Sequence, residues 1–318
     1  MPHPRKVILI DKAHPYLIEH LTQLGYECHD HQQTPLDEVE SIVGEYFGMV
    51  IRSRFSLGPA FLDKCTQLQF IARMGIGLEH IDVDYAEDKG IRVFNSPEGS
   101  RDTVAEHTLG LMLGLMHFLF RAGMQVREGQ WVREANKSYE LRHRTVGIIG
   151  FGNIGSTVAQ RLSSFGCRII AYDKFKANYG GMLAEEVSLE TIFREADVVT
   201  LHIPYADYNH HFVNQAFLDS FHKPIFLINT SRGLVLDTQA LVNAHRAGKL
   251  LGVALDVVEY EEQSFSTLDI GSMPEPFQYL RRADNVILTP HTAGLSHEVM
   301  GSHARVLVEK IGQAFGNS

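Results

Sequence analysis

The stretch Thr145-Val146-Gly147-Ile148-Ile149-Gly150-Phe151-Gly152-Asn153-Ile154-Gly155 runs directly into Ser156-Thr157-Val158-Ala159-Gln160-Arg161-Leu162. A β-branched run leads into Gly-x-Gly-x-x-Gly, and a helical pattern follows. Such a turn brings the second glycine against a pyrophosphate without a Cβ in the way, and aims the free N–H groups of a helix start at its charge. Glycines alone are weak evidence, because tight strand-to-helix turns also occur without ligands. Here a second strand pattern, Arg168-Ile169-Ile170-Ala171-Tyr172, ends at Asp173, eighteen positions after Gly155. That is close to the roughly 20 residues expected before a ribose-binding acid. A carboxylate there accepts from both ribose hydroxyls and repels a 2′-phosphate. The pattern therefore predicts an NAD site with Gly150, Gly152, Gly155 and Asp173 at its centre.

Outward from this motif the chain reads as two α/β units. Strand patterns occur at 6–10, 48–52, 68–73 and 91–94, with amphipathic helices at 16–24, 36–45 and 59–65 between them. That order implies a parallel sheet. The first strand is followed by Asp11-Lys12-Ala13-His14-Pro15 and not by a glycine motif, so the first unit is not read as the dinucleotide domain. After the glycine motif, strands are expected at 196–201, 224–228, 252–257 and 285–288, then a connection over 260–284 and a final helix over 296–315. Residues 100–144 carry a long helical pattern, whose apolar run Leu109–Phe120 reads as a buried or interface helix. That run is too short for the roughly 20 residues of a membrane span.

Composition narrows the class. The 318 residues are 44% hydrophobic and 21% charged, an ordinary globular balance for about two domains. A net charge of −9 argues against nonspecific binding to nucleic acid or an anionic membrane, and an anionic substrate would need a locally basic pocket. Cys28, Cys65 and Cys167 are scattered and form no CxxC, and no signal-peptide core follows Met1, so a cytoplasmic setting is expected. His29 and His31 beside Cys28, and His210-His211, lack a second ligand pair at zinc spacing, and alternating polar residues on an edge strand explain the first cluster, so no metal is expected.

Three polar groups stand at predicted strand ends of the second unit, where open α/β sheets place ligands. Arg232, in Asn229-Thr230-Ser231-Arg232-Gly233, can hold a carboxylate bidentately. His291, in Thr289-Pro290-His291-Thr292-Ala293-Gly294, could exchange a proton if it has a carboxylate partner. Glu259, Glu261 and Glu262 all follow Asp256-Val257-Val258, and spacing alone does not choose among them.

These motifs, with Arg73-Met74-Gly75-Ile76-Gly77, Asn95-Ser96-Pro97, Val104-Ala105-Glu106-His107 and His202-Ile203-Pro204, resemble in order those of the D-isomer-specific 2-hydroxyacid dehydrogenases, the family that includes phosphoglycerate dehydrogenase. The resemblance spans nearly the whole chain. It implies two Rossmann-like, doubly wound parallel-sheet domains. An NAD domain (100–287) would be inserted into a flavodoxin-like substrate domain (1–99 and 288–318). It implies an Arg–Glu–His set of Arg232, Glu261 and His291, the glutamate lying five residues after the motif aspartate. Asn153, Ile154, Thr230, Ser231, Arg232, Asp256 and His291 to Gly294 would face the cofactor. Arg73 and the amides of Gly75, Ile76 and Gly77 would bind the substrate. Arg52 and Arg54 resemble the Arg-Ser-Arg that lines the substrate cleft of phosphoglycerate dehydrogenases.

Two departures stand out: Glu262 replaces the proline usual after the family glutamate, and Glu275-Pro276 is a rival match for the glutamate itself. The expected reaction interconverts a D-2-hydroxy acid and its 2-keto acid. 3-Phosphoglycerate/3-phosphohydroxypyruvate and hydroxypyruvate/glyoxylate are the candidate substrates. Segment 104–140 resembles the family's dimer-forming arm, so a homodimer is expected. No further domain is read after residue 318, so feedback control of the kind regulatory domains give is not expected. A rival of another class is a dinucleotide-sensing interaction protein resembling the C-terminal-binding-protein corepressors.

Overall fold

A computed structural model describes residues 5–261 and 271–316. The chain forms two compact units, Met1–Arg101 with Leu295–Ser318, and Asp102–Gly294. The second division falls at 294/295, later than the 287/288 expected from sequence. Strand Val286–Leu288 pairs with the strand Leu250–Leu255 of the second unit. The turn after it is bonded to Asp256, with the amide of His291 on the Asp256 carbonyl at 2.8 Å.

The first unit holds five parallel strands, β1 (Arg5–Leu9), β2 (Tyr26–Asp30), β3 (Gly48–Ile51), β4 (Phe70–Arg73) and β5 (Arg92–Phe94), in the order β2-β1-β3-β4-β5. Successive side chains alternate between faces. Ile8, Met49, Ile51 and Ile71 pack on one side with Val39, Phe61 and Leu62. Val7, Leu9, Val50, Phe70 and Ala72 pack on the other with Leu17 and Leu21 of helix Pro15–Gln23 and Ala304, Leu307 and Ile311 of helix Val299–Phe315. Pro15 opens its helix at the position where a missing N–H costs nothing, and the side chain of His14 accepts from the amide of Tyr16. Strand β2, Tyr-Glu-Cys-His-Asp, is the polar edge strand expected around Cys28.

The second unit holds seven strands, β6 (Thr145–Ile149), β7 (Arg168–Tyr172), β8 (Glu185–Glu186), β9 (Val198–Leu201), β10 (Ile225–Asn229), β11 (Leu250–Leu255) and β12 (Val286–Leu288). Their order is β12-β11-β10-β9-β6-β7-β8, and every pairing is parallel. Chain order reverses between β6 and β9, which is the crevice where such sheets bind ligands. Strands β9 and β10 are buried at every position, as expected where helices cover both faces.

The long helical pattern breaks in two, Arg101–Met116 and Leu119–Arg127, at Phe118, which adopts a left-handed φ of 53°. The first piece buries Leu111, Met112, Leu115 and Met116, whereas the second buries none of its residues. No single helix among the described residues is long and apolar enough to cross a membrane. The connection before β12 contains a short helix, Glu275–Leu280, which buries Pro276, Phe277 and Leu280. Glu262 lies outside the described residues.

Candidate active site

Each glycine of the turn after β6 meets a different constraint. Gly150 has φ +91°, and a Cβ on it would lie 2.5 Å from the carbonyl oxygen of His202. A Cβ on Gly155 would lie 2.0 Å from the Gly150 carbonyl oxygen, so this glycine lets helix Asn153–Leu162 sit against its own strand. A Cβ on Gly152 would meet nothing within 4 Å. The protein does not need glycine there for its own packing, and the open space lies at the helix start. The first-turn amides of Asn153 and Ile154 have no acceptor within the helix. A pyrophosphate fits this combination of open space and outward amides.

Asp173 ends β7 beside this turn. Its Oδ2 accepts from the amide of Phe151 (2.8 Å) and its Oδ1 from the amide of Phe175 (2.9 Å). A carboxylate has about four acceptor positions, so two bonds leave capacity for ribose hydroxyls. The Asp173 backbone is also held. Its amide donates to the hydroxyl of Tyr179 (2.9 Å), which donates to the carbonyl of Ala171 (3.0 Å). Burial pushes the Tyr179 phenol up to about 12, so it stays protonated.

The structure brings Glu261 and His291 together. Oε2 of Glu261 lies 2.6 Å from Nδ1 of His291, and Oε1 accepts from the amide of Val258 at 2.5 Å. Glu275 instead pairs with Arg246 at 2.6 Å, and Glu259 bonds His211 and the amide of Thr238, each at 2.6 Å. Arg232 follows β10 in extended backbone and is half-buried, with Nη1 donating to the carbonyl of Ser231 at 2.8 Å. His291 has a left-handed φ of 53°, uncommon outside glycine, so its turn must be held from outside.

Asp256 supplies that hold. Its carboxylate accepts from the hydroxyl of Thr289 (2.5 Å) and the amides of Thr292 (2.9 Å) and Ala293 (2.8 Å). Nε2 of His107 lies 3.5 Å away. Asp256 is 1% exposed. Burial alone would push its carboxyl up, but the bonds from His107, Thr289 and the two amides outweigh this and hold it below the usual carboxylate range. Asp256, expected to face the cofactor, is thus turned inward as the bracket of the His291 turn. Thr230 and Ser231 are likewise buried, their hydroxyls bonded to Thr108 (2.9 Å) and Asn229 (2.8 Å). In sequence His107 stands only as a member of the Val104-Ala105-Glu106-His107 motif, and Thr108 merely precedes the apolar run, so neither is marked there as a partner of Asp256 or Thr230. Gly294 closes the turn, half-buried.

In the first unit the two arginines separate. Arg54 donates to the carbonyls of Ile10 (3.3 Å), His31 (3.0 Å) and Thr34 (2.8 Å), and stacks over Phe55. It pins three backbone segments. Arg52 is exposed, and its amide is fixed by Asp11, whose Oδ2 also accepts from the amides of Ser53 and Arg54. The guanidinium of Arg73 folds over Gly75, where an added Cβ would fall 1.3 Å from Nη1. The amide of Gly75 donates internally, to the Arg73 carbonyl (2.9 Å) and the Ser96 hydroxyl (3.1 Å), so of the three expected anion-binding amides those of Ile76 and Gly77 are the candidates.

His29 and His31 share the hydroxyl of Tyr46, each at 3.0 Å. Among the described residues no group of three or more His, Cys, Asp or Glu side chains is placed to hold a metal ion.

Sheet order, glycine turn and strand-end residues together define a dinucleotide-binding α/β protein. Comparison with known proteins makes this specific. The family model "D-isomer specific 2-hydroxyacid dehydrogenase, NAD binding domain" matches residues 109–293. The hydroxypyruvate reductase of Thermotoga maritima is 37% identical over 280 residues, 88% of each chain. The D-3-phosphoglycerate dehydrogenase of Archaeoglobus fulgidus is 29% identical over 96% of this chain, which spans only 56% of that longer protein. The crystal structure of D-lactate dehydrogenase from Aquifex aeolicus, complexed with NAD and lactic acid, superposes with a TM-score of 0.79 at 30% identity. That match covers 98% of this chain and 95% of the other. The chain belongs to the D-isomer-specific 2-hydroxyacid dehydrogenase family.

Proposed function

We propose that this protein is an NAD-dependent dehydrogenase interconverting a D-2-hydroxy acid and its 2-keto acid, with hydroxypyruvate, glyoxylate and 3-phosphohydroxypyruvate as candidate keto substrates. Family membership supports the reaction class. The observation that carries the site assignment is the 2.6 Å contact between Glu261 and Nδ1 of His291, at the same sheet edge as Arg232 and the glycine turn.

Bound nicotinamide supplies the hydride chemistry. The residues of this chain supply the rest. Glu261 accepts from Nδ1 and fixes the imidazole so that Nε2 carries the proton given to the developing alkoxide. Arg232 presents two parallel donors to the substrate carboxylate and draws electron density from the adjacent carbonyl. The amides of Ile76 and Gly77 are the further carboxylate donors in this reading, and Arg52 and Arg73 would favour a second anionic group on the substrate. In the oxidative direction neutral Nε2 takes the hydroxyl proton.

The same reading includes a homodimer in the cytoplasm. Helix Leu119–Arg127 buries none of its residues, and Leu119, Phe120, Met124, Val126 and Trp131 are all more than half exposed. An apolar surface of this kind, on the segment that resembles the family arm, suits a second copy. His291→Gln tests the chemistry: kcat for keto-acid reduction should fall by about 10²–10⁴ while NADH affinity changes little. Unchanged kcat would remove His291 from its role.

A further inference from the structure

We propose that His303, acting through Ser96, is a positioning residue that locks the loop Gly75–Gly77 into a carboxylate clamp. This rests on the reading above that the amides of Ile76 and Gly77 receive the substrate carboxylate.

The geometry is local to the first unit. Nδ1 of His303 lies 3.0 Å from the carbonyl oxygen of Ser96 and 2.8 Å from its hydroxyl. A carbonyl can only accept, so Nδ1 carries the proton, and the Ser96 hydroxyl is left to accept from His303 and from the amide of Gly75 at 3.1 Å. The hydroxyl proton then points to the carbonyl of Arg73 or Gly75, each 3.4 Å away. The imidazole is 5% exposed, and burial draws it down to about 4, so it is neutral and keeps this arrangement at ordinary pH. Gly99 leaves the ring its place, because a Cβ there would fall 2.4 Å from Nδ1.

The lock reaches the clamp through two peptide planes. The Gly75 carbonyl accepts from the amide of Ser96 (2.8 Å), and the Ile76 carbonyl accepts from Nδ2 of Asn95 (2.8 Å). Neither peptide is cis, so each following N–H, of Ile76 and of Gly77, lies on the edge opposite its pinned carbonyl. Two adjacent amides are thereby turned away from residues 95 and 96 as a pair. Gly75 holds φ +152°, a conformation that needs such external bonds to stay fixed. Lys310, from the same helix as His303, ties the Asn95 carbonyl at 3.0 Å. Helix Val299–Phe315 thus sets the direction of two donors through residues 95 and 96.

Ser96→Ala, His303→Ala and His303→Asn test this by steady-state kinetics with NADH and hydroxypyruvate or glyoxylate, whichever the wild type turns over. Ser96→Ala and His303→Ala should each raise the keto-acid KM about tenfold, the worth of one buried hydrogen bond, with kcat within about twofold and NADH affinity unchanged. Asn keeps a donor near the position of Nδ1, so His303→Asn should return KM to within about threefold of wild type. If His303→Ala does not fold, Ser96→Ala carries the test alone.

Unchanged KM in a folded Ser96→Ala protein overturns the proposal, as does His303→Asn behaving like a folded His303→Ala. A joint fall of kcat and NADH affinity also overturns it, since that is general damage. In protein labelled with ¹⁵N-glycine, adding oxamate to the NADH complex should shift the Gly77 amide. No shift means the loop is not the clamp, and the underlying reading fails with the proposal. A shift combined with normal KM in Ser96→Ala means that the lock alone is wrong.

Discussion

Gly152→Ala and Gly155→Ala differ by one methyl group each, three residues apart, and should fail in opposite ways. At Gly155 the new Cβ would sit 2.0 Å from the Gly150 carbonyl oxygen, whereas real Cβ contacts essentially never fall under 3.0 Å. Helix Asn153–Leu162 would have to withdraw by about 1 Å from β6, and overpacking of this kind costs about 1–3 kcal/mol. For a unit of this size each kcal/mol lowers Tm by about 2–4 °C. At Gly152 the Cβ meets nothing within 4 Å and φ is −86°, which alanine adopts freely. Stability should hold or rise by up to about 1 kcal/mol through the unfolded chain. The methyl would instead occupy the space assigned to the pyrophosphate, and NADH affinity should fall at least about tenfold, or ~1.4 kcal/mol. Thermal unfolding followed by circular dichroism, and NADH titration followed by nucleotide fluorescence, separate the two effects. A Gly152→Ala protein that binds NADH as tightly as wild type would refute the placement of the cofactor. Full stability in Gly155→Ala would refute the packing argument.

Arg52→Ala should raise KM for 3-phosphohydroxypyruvate more than for glyoxylate, while Arg54→Ala should lower the urea midpoint because it strands the three carbonyls that Arg54 pins; a reversed pattern would exchange their roles. Acid should destabilise the fold through His303 and His202, which burial draws down to about 4 and about 3. The unfolded chain takes up these protons near 6.5 and the folded chain resists them, so stability is full above that pH and falls as pH drops toward 4. His303 alone accounts for roughly 3 kcal/mol. Urea midpoints at pH 7.5 and 5.0 should therefore differ less in His303→Asn than in wild type; an identical drop would show that His303 does not contribute. Trp131, the chain's single tryptophan, is 80% exposed, so its emission should shift to the blue as a dimer forms with rising concentration, and concentration-independent emission would exclude it from the interface.

The sequence made the second unit's sheet legible because its strands are apolar and its glycine turn has a fixed chemistry. Every glycine of that turn is accounted for in the structure by a contact or by open space. The edge strand β2 was legible only as alternating polar residues around Cys28, and β8 was not legible, since polar residues on an exposed edge carry no periodic burial signal. Arg232 and His291 could be singled out at strand ends, and family resemblance directed attention to Glu261. The bracket around them could not be read, because Asp256, His107 and Thr289 are far apart in sequence and converge only when β11 and β12 pair. Arg54 shows the converse. An arginine that resembles a ligand residue becomes a backbone pin once the carbonyls of Ile10, His31 and Thr34 surround it, and nothing in its neighbours' identities announces those carbonyls. In sequence His303 is one polar position in an amphipathic helix.

The most direct test of the account is turnover: NADH oxidation by the purified protein with hydroxypyruvate, glyoxylate, pyruvate and 3-phosphohydroxypyruvate, in wild type and His291→Gln, followed by oxidation of D- and L-glycerate with NAD. The account predicts multiple turnovers with at least one keto acid, a loss of about 10²–10⁴ in kcat on replacing His291, and oxidation of the D isomer alone. Tight NADH binding without turnover of any keto acid, or equal oxidation of both isomers, would contradict it.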